Sequence, residues 1–229
     1  MAIQLNASDI HAVAIAPSGY VNRSAPQSLT CWINSSVWNS VGVVASMVSV
    51  SLSGTTGIQI GTRGSATQVD IWSWGGATCV SSTGFTPSNG AWFHVAYTYD
   101  GTNNLLYING VLNSSSTNAQ VAGLLNEIYI NGYPTGGSAE TSAALVDDVA
   151  YYNRALSAAE VQTMAALQGY KDGIVVGLLA RYCLNENSPG STMVSSIDYS
   201  GNGNPLSVQG TGAPITYIAG ITSTNRVCL

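Results

Sequence analysis

Charged side chains are scarce in this chain: they make up only 7% of its 229 residues, against about a quarter in most soluble proteins. The six Lys and Arg residues are scattered, and the formal net charge is −5. Without a basic patch, nucleic acid is not expected as a ligand, because phosphate binding needs clustered cations. A surface of uncharged hydroxyl and amide groups is instead expected to self-associate or to be covered by partners.

Long apolar segments are also missing. The longest candidate, Val41 to Leu52, is interrupted by three serines, so it predicts strands and not a membrane-spanning helix. The N-terminus has no basic region and carries Asp9 and His11 where a secretory signal would need apolar residues. We therefore expect no membrane partner and no signal peptide, with synthesis in the cytoplasm.

The four cysteines, Cys31, Cys79, Cys183 and Cys228, have none of the close spacings of a metal knuckle. Their positions favour small buried hydrophobic residues in a reducing compartment. Disulfide bonds stay open as the alternative, because the spacing does not select among the three possible pairings.

Short strands joined by tight turns are abundant. In the stretch from Trp92 to Leu112, apolar and polar residues alternate up to Tyr99, and Asp100-Gly101 then supplies a turn. A second apolar run stops at Asn109-Gly110, a strong hairpin signal. The same pattern recurs along the chain and predicts an all-β fold, an antiparallel β-sandwich or jelly roll forming a single domain over residues 1–229.

One segment predicts a helix. Ser157 and Glu160 have the spacing of a capping box, in which each side chain bonds a free backbone N–H at the helix start. Val161 and Met164 continue at helical spacing, and Gly169 suits the position after the helix end. The helix is short, so we expect it to cover the core rather than form a second domain.

Two segments together resemble a known family. The Trp92–Leu112 hairpin and the Val146–Val161 stretch are similar to the laminin G-like (concanavalin A-like) jelly roll in its bacterial and viral branch. Ser28–Ile33 resembles the early aromatic strand of that family, and the resemblance runs from Val13 to Gly169. It implies two packed antiparallel sheets of about six or seven strands each, with one short helix.

The order of the segments departs from that family. Leu178–Tyr182 and Asp198–Asn204 resemble the segment that usually opens such a domain, but here they come last. Either the domain is circularly permuted, or this tail completes a neighbouring copy by strand exchange. We favour permutation, with residues 174–208 supplying the opening segment, because the termini of compact domains often lie close together.

Catalytic patterns are absent. Related jelly rolls that cleave β-glucans look similar in one respect: they carry a Glu-x-Asp-x-Glu strand. The carboxylates of that strand all point to one face and divide the roles of acid and nucleophile. Here the glutamates are isolated, and no nucleophile-elbow glycines flank a serine. We interpret His94 as a half-exposed sheet residue, and we predict that the protein is not an enzyme.

The resemblance also allows a Ca²⁺ site. Its oxygen ligands would come from Asp147 or Asp148 and from Asp198 with Asn202 and Asn204. Asp147 and Asp148 are adjacent, so on a regular strand they would face opposite sides, and Asp147 could instead pair with Arg154. The favoured alternative is that Asp198 and its neighbours only build a turn by bonding their own backbone.

Trp72 and Trp74 are the candidate sugar-binding residues, because alternate residues of a strand share one face and aromatic rings stack on sugar rings. Further candidates are Trp32, Trp38, Trp92 and Tyr129. Aromatic residues at alternate strand positions more often lie in a core or a protein interface, and this interpretation is the favoured one.

Two functions follow from these observations. In the first, the chain is a structural binding protein of a bacteriophage virion surface, a capsid decoration or accessory protein that contacts other capsid proteins or copies of itself. The absence of an export signal, a catalytic set and surface charge favours it. In the second, the chain is a carbohydrate-binding, lectin-like module that acts outside the cell and binds glycans. The two functions are compatible, because a virion surface protein can also bind glycans.

Overall fold

The computed structural model describes residues 2–5, 9–16, 18–35, 44–52, 56–63, 68–73, 78–132, 143–166 and 174–220. The elements in chain order are β1 (Ala2–Gln4), β2 (Asp9–Ile15), β3 (Val21–Asn22), β4 (Gln27–Ser35), β5 (Val44–Leu52), β6 (Thr56–Arg63), β7 (Asp70–Ser73), β8 (Thr78–Ser81), β9 (Phe93–Tyr99), β10 (Asn104–Ile108), β11 (Val111–Ser116), β12 (Leu124–Leu125), β13 (Glu127–Ile130), β14 (Ala144–Tyr152), α1 (Ala158–Ala166), β15 (Leu178–Tyr182), β16 (Ser195–Ser196), β17 (Leu206–Thr211) and β18 (Thr216–Ile218).

Two antiparallel sheets of eight strands each form a sandwich, which confirms the predicted fold class. The first sheet runs in the order β11-β10-β9-β4-β14-β1-β18, with β15 also paired to β14. The second runs in the order β16-β17-β2-β13-β5-β6-β7-β8, and a small sheet pairs β3 with β12. Each large sheet is thus larger than the six or seven strands that the family resemblance implied.

The core lies between the inner faces of the two sheets. Val95 and Tyr97 of β9 are fully buried there, as the alternation along that strand predicts, and they share the core with Val50 and Ile128 of the second sheet. Ala96, which points to the other side, belongs to a smaller apolar cluster under α1. The hairpin stretch therefore contributes to packing on both of its faces.

The capping box at the start of α1 is formed as predicted. Glu160 Oε2 accepts hydrogen bonds from the Ser157 N–H at 2.8 Å and the Ser157 hydroxyl at 2.9 Å. Arg154 adds two bonds to the same carboxylate, at 2.6 Å and 2.9 Å. Val161 and Met164 are buried against the first sheet. The helix therefore covers the outer face of that sheet, as expected.

The helix has nine residues. Within the ranges given above, no helix is long and apolar enough to cross a membrane.

The residues between β14 and α1 are fixed by a buried hydroxyl. Ser28 Oγ, on β4, donates to Arg154 O at 2.8 Å and accepts from the Leu156 N–H at 2.9 Å. Arg154 Nε donates to Val176 O at 2.7 Å, which ties this segment to the stretch before β15. The run from Asn153 to Ser157, within the Val146–Val161 stretch that resembles the family, is therefore a structural junction.

The C-terminal segment completes both large sheets. In the first sheet β18 pairs with β1 and β15 pairs with β14, and in the second β17 pairs with β2. All of these pairings are made within one chain, as a permuted domain requires. Permutation itself stays a prediction.

Several strands were misjudged from the sequence. The strand predicted from Ile174 to Leu184 is limited to Leu178–Tyr182, and Thr78–Ser81 was not predicted. The second of these is short and polar at its ends, and it is held by pairing with β7. Such non-local pairing outweighs local propensity.

The cysteines behave in two ways. Cys31 and Cys79 are free and buried, as the interpretation as small hydrophobic residues requires. Cys183 is disulfide-bonded, so that interpretation is wrong for it. Cys228 lies outside the described residues.

The capping box makes stability depend on pH. The hydrogen bonds from Arg154 are the main reason that the pKa of Glu160 falls from 4.5 to about 2. Because the folded-state pKa is depressed, this contribution is present above pH ~4.5 and is lost as the pH falls towards ~2. We expect Glu160→Gln, which keeps a capping acceptor but loses the charge, to reduce the free energy of unfolding by about 1 kcal/mol at neutral pH.

The measurement is urea unfolding of both proteins at neutral pH and at about pH 2, where the gap should close. Gln162→Ala, on the exposed face of the same helix, is the control and should change little. An equal gap at both pH values would show that the carboxylate charge is not what stabilises the junction.

Candidate functional site

A cleft of about 550 Å³ lies where the turn after β2 meets the turn before β17. Ala16 and residues 18–20 line one side, and Leu179 and residues 202–204 line the other. We call it the Tyr20 cleft. Its two walls come from opposite ends of the chain and meet because β17 pairs with β2.

The first wall is a turn held by backbone hydrogen bonds. Gly19 N donates to Ala16 O at 2.8 Å, and Tyr20 N donates to Leu125 O at 2.6 Å. Gly19 has φ 78°, and a Cβ at this position would lie 2.7 Å from Leu124 Cδ1. Both the backbone conformation and the close contact require glycine. This wall is therefore a rigid surface.

The second wall is organised by Asp198. Its Oδ1 accepts the N–H groups of Arg181 at 3.1 Å and Ser200 at 2.9 Å, and its Oδ2 accepts that of Asn204 at 3.0 Å. A short acidic side chain that bonds backbone amides in this way stabilises a turn. This geometry matches the favoured prediction that Asp198 builds a turn.

Asn202 closes the same turn from the other side. Its Nδ2 donates to Leu178 O at 3.1 Å, to Leu179 O at 3.0 Å and to Ser200 Oγ at 3.2 Å. The turn is thereby fastened to β15. Asp198 and Asn202, both proposed from the sequence as metal ligands, do come together here, but their side chains bond groups of their own turn and the backbone of β15.

Tyr20 is the aromatic residue of the cleft. Its ring meets Tyr151 edge-on, with centroids 5.7 Å apart, and it packs against the core. Its hydroxyl is buried and makes no hydrogen bond of normal geometry with any described residue. The neighbouring Tyr182 hydroxyl donates instead to Asn204 O at 2.7 Å. The Tyr20 hydroxyl is buried beside the Tyr182 hydroxyl, which influences its pKa, so Tyr20 lines the cleft with its half-buried ring.

The protonation state of that hydroxyl is fixed. Burial is the main cause that raises the pKa of Tyr20 to about 12; the hydrogen bond with Tyr182 acts against this rise, and the negative charge of Asp198 adds to it. The hydroxyl is therefore neutral throughout the physiological range. The amides of Asn202 and Asn204 and the Ser18 hydroxyl give the cleft a polar, uncharged lining.

Asp147 and Asp148 lie elsewhere, in an irregular part of β14. The register against β4 shifts between Asp147 and Ala150, and Asp148 has φ 48°, so simple alternation fails at this point. Both carboxylates are buried, and Asp148 Oδ1 lies 3.6 Å from Arg181 Nη2. Arg154 forms its salt bridge with Glu160 and not, as suggested, with Asp147.

The predicted calcium ligands are thus divided between a strand of the first sheet and a turn beside the second. In the part of the chain that the structure describes, no group of three or more His, Cys, Asp or Glu side chains could hold a metal ion.

Trp72 lies on the outer face of the second sheet, in register with Gln59, Ser49 and Tyr129 on neighbouring strands. Trp72 is only 3% exposed and Tyr129 only 6%. Neither presents an open ring face to a sugar, which fits the favoured interpretation of packed aromatic residues. Trp74 lies outside the described residues, so its role in sugar binding stays a prediction.

None of the remaining aromatic candidates that the structure describes is fully exposed to a sugar. Trp32 is buried, Trp92 is half-buried just before β9, and Trp38 lies outside the described residues.

His94 is buried, so the prediction of a half-exposed side chain is wrong. Its ring meets Trp32 edge-on, with centroids 5.4 Å apart. Burial lowers the pKa of His94 to about 3. The ring is therefore neutral in the physiological range, and it contributes to packing on the outer face of the first sheet.

Sequence reasoning missed the Tyr20 cleft. The turn at Pro17-Ser18-Gly19 and the turn at Ser200–Asn204 can both be predicted from their Gly, Asn and Ser content. Their proximity depends on the pairing of β2 with β17, for which no local signal exists.

The chain belongs to the concanavalin A-like lectin/glucanase superfamily, whose laminin G-like family model matches residues 8–162. This confirms the resemblance carried by the hairpin and by the Val146–Val161 segment. A sequence comparison with curated proteins finds no match.

Solved structures share the fold at low sequence identity. A Bacteroides ovatus protein described as carbohydrate-binding superposes with a TM-score of 0.63 at 18% identity, covering 96% of this chain and 62% of its own. Domain 4 of the extracellular GH43 arabinanase AbnA from Geobacillus stearothermophilus, solved with arabinotriose, gives 0.52 at 18% identity, covering 67% and 72%. The binding domain of botulinum neurotoxin serotype G gives 0.51 at 16% identity, covering 71% and 42%. The chain thus spans less than two thirds of the first of these proteins.

The Asp198 turn predicts the outcome of a calcium titration. Both carboxylate oxygens already accept backbone N–H groups, whereas Ca²⁺ needs about six to eight oxygen ligands. We expect Ca²⁺ to give no binding heat in calorimetry and no shift in melting temperature. A stoichiometric binding heat that disappears in Asp198→Asn would contradict this expectation and restore the calcium site.

Proposed function

We propose that this chain is a non-catalytic carbohydrate-binding module that holds its ligand in the Tyr20 cleft. The observation that carries the proposal is the lining of that cleft: one half-buried tyrosine ring, a serine hydroxyl and two asparagine amides. Neutral donors and acceptors beside an aromatic side chain suit the hydroxyl groups and apolar faces of a sugar ring.

The absence of a catalytic pair in the cleft favours binding over hydrolysis. Glycoside hydrolysis needs two carboxyl groups on either side of the scissile bond, about 5–9 Å apart. No carboxylate lines the cleft among its described residues, and Asp198 behind it is engaged with three backbone amides. His94, the histidine of the hairpin stretch, is buried.

Two of the structural neighbours support the ligand class. One is described as carbohydrate-binding, and the other is a domain of an extracellular arabinanase solved with an arabinose oligomer. An extracellular location also fits the disulfide at Cys183, because disulfides persist in oxidising compartments. The prediction of a virion surface protein rests on features that the sequence lacks, namely an export signal, a catalytic set and surface charge, and it gains nothing from the fold or the neighbours.

The cleft can be tested with two small truncations. Ser18 and Asn204 line it, and neither side chain makes a hydrogen bond within the described structure, so Ser18→Ala and Asn204→Ala should leave stability unchanged. We expect each to weaken binding of the best neutral oligosaccharide found on a glycan array by about two- to tenfold, the effect of one neutral hydrogen bond. Affinity is measured by titration calorimetry. Ser115→Ala, on the exposed edge strand β11, is the matched control.

Trp72→Phe distinguishes the cleft from the outer face of the second sheet. Since Trp72 is 3% exposed, we expect it to lower the melting temperature and to leave affinity unchanged. If this variant stays folded and loses glycan binding while Ser18→Ala and Asn204→Ala do not, the ligand lies on that sheet face and not in the Tyr20 cleft.

A further inference from the structure

We infer that the Tyr20 cleft selects neutral sugars and discriminates against acidic ones such as uronates and sialosides. The inference rests on the carbohydrate-binding function proposed above and goes beyond it by naming the class of sugar. Two features of the cleft support it: none of its described lining residues is a cation, and a negative charge lies behind one of its walls.

No positive charge is available in the lining. Tight recognition of a carboxylate usually relies on Arg or Lys, which supply charge and paired donors. None of the residues that the structure places around the cleft is basic. Arg181 contributes its backbone N–H to the Asp198 turn, but its guanidinium lies at Asp148. The arginine nearest in the chain to this wall is therefore directed to another carboxylate.

A negative charge stands directly behind one wall. Asp198 Oδ2 accepts the N–H of Asn204, a lining residue, at 3.0 Å. The electrostatic effect of this charge reaches the opposite wall. There, Asp198 is one of the groups that raise the pKa of Tyr20, after the larger effect of burial. A carboxylate brought into the cleft would therefore face a like charge that is held in place by three backbone bonds.

The Tyr20 hydroxyl does not offset this repulsion. It is buried and neutral, so it brings no positive charge to a carboxylate in the cleft. Two like charges about 6 Å apart at a partly solvated surface repel enough to change affinity by roughly tenfold. Repulsion by the Asp198 carboxylate therefore decides the preference between neutral and acidic sugars, and it favours the neutral ligand.

The test compares neutral oligosaccharides with counterparts that differ only by a carboxylate, such as galactotriose with trigalacturonate, on one array and then by calorimetry. For each neutral ligand that binds, we expect its acidic counterpart to bind at least about tenfold more weakly at low salt. The difference should shrink at about 0.5 M salt, where charges are screened within a few ångströms.

A charge variant shows whether electrostatics is the cause. Ser18 is exposed at the cleft, so Ser18→Lys introduces a cation at its rim, and Ser18→Gln is the neutral control of similar reach. We expect Ser18→Lys to improve binding of the acidic ligand several-fold over Ser18→Gln and to leave the neutral ligand nearly unaffected. Equal effects of the two variants on the acidic ligand would overturn the inference.

The outcomes separate the two proposals. If the native chain binds acidic sugars as tightly as neutral ones, the selectivity is wrong and the carbohydrate-binding function stands. If it binds no sugar of either kind, the carbohydrate-binding function fails and the selectivity fails with it.

Discussion

The pairing of the last strands with the first ones is the constraint on which the rest of this structure depends. β17 lies beside β2 in one sheet and β18 lies beside β1 in the other, so the tail extends both faces of the sandwich. Bringing together residues so far apart in the chain costs loop-closure entropy, which many small contacts along the paired strands must offset. The same pairing creates the Tyr20 cleft, because each of its walls is the turn that adjoins one of these strands.

The Asp198 carboxylate has two roles in the cleft. Its three backbone bonds join Arg181 of β15 to Ser200 and Asn204, and so give the second wall a defined shape. The same carboxylate leaves a negative charge close to a cleft whose described lining residues include no cation. Shape and electrostatic character thus arise from one side chain, and a change at this position would alter both together.

Much of the fold could be predicted from the sequence, because its signals are local. The alternation of Phe93 to Tyr99, the turn at Asn109-Gly110 and the capping box at Ser157 and Glu160 each report a structure made by neighbours in the chain. The site could not be predicted in the same way. Trp72, the sugar-binding candidate from the sequence, is buried on a sheet face. Tyr20 lines the cleft only because long-range strand pairing brings the two walls together.

The family match ends at residue 162, and the second wall of the cleft begins well beyond it, at Leu179. The shared part of the chain therefore encodes the scaffold and one half of the site, while the other half is encoded by a segment outside the match. Relatives that keep the matched region but carry a different tail would keep one wall of the cleft and have a different second wall. Under the proposed function, ligand preference among such proteins should follow the tail sequence and not the overall similarity.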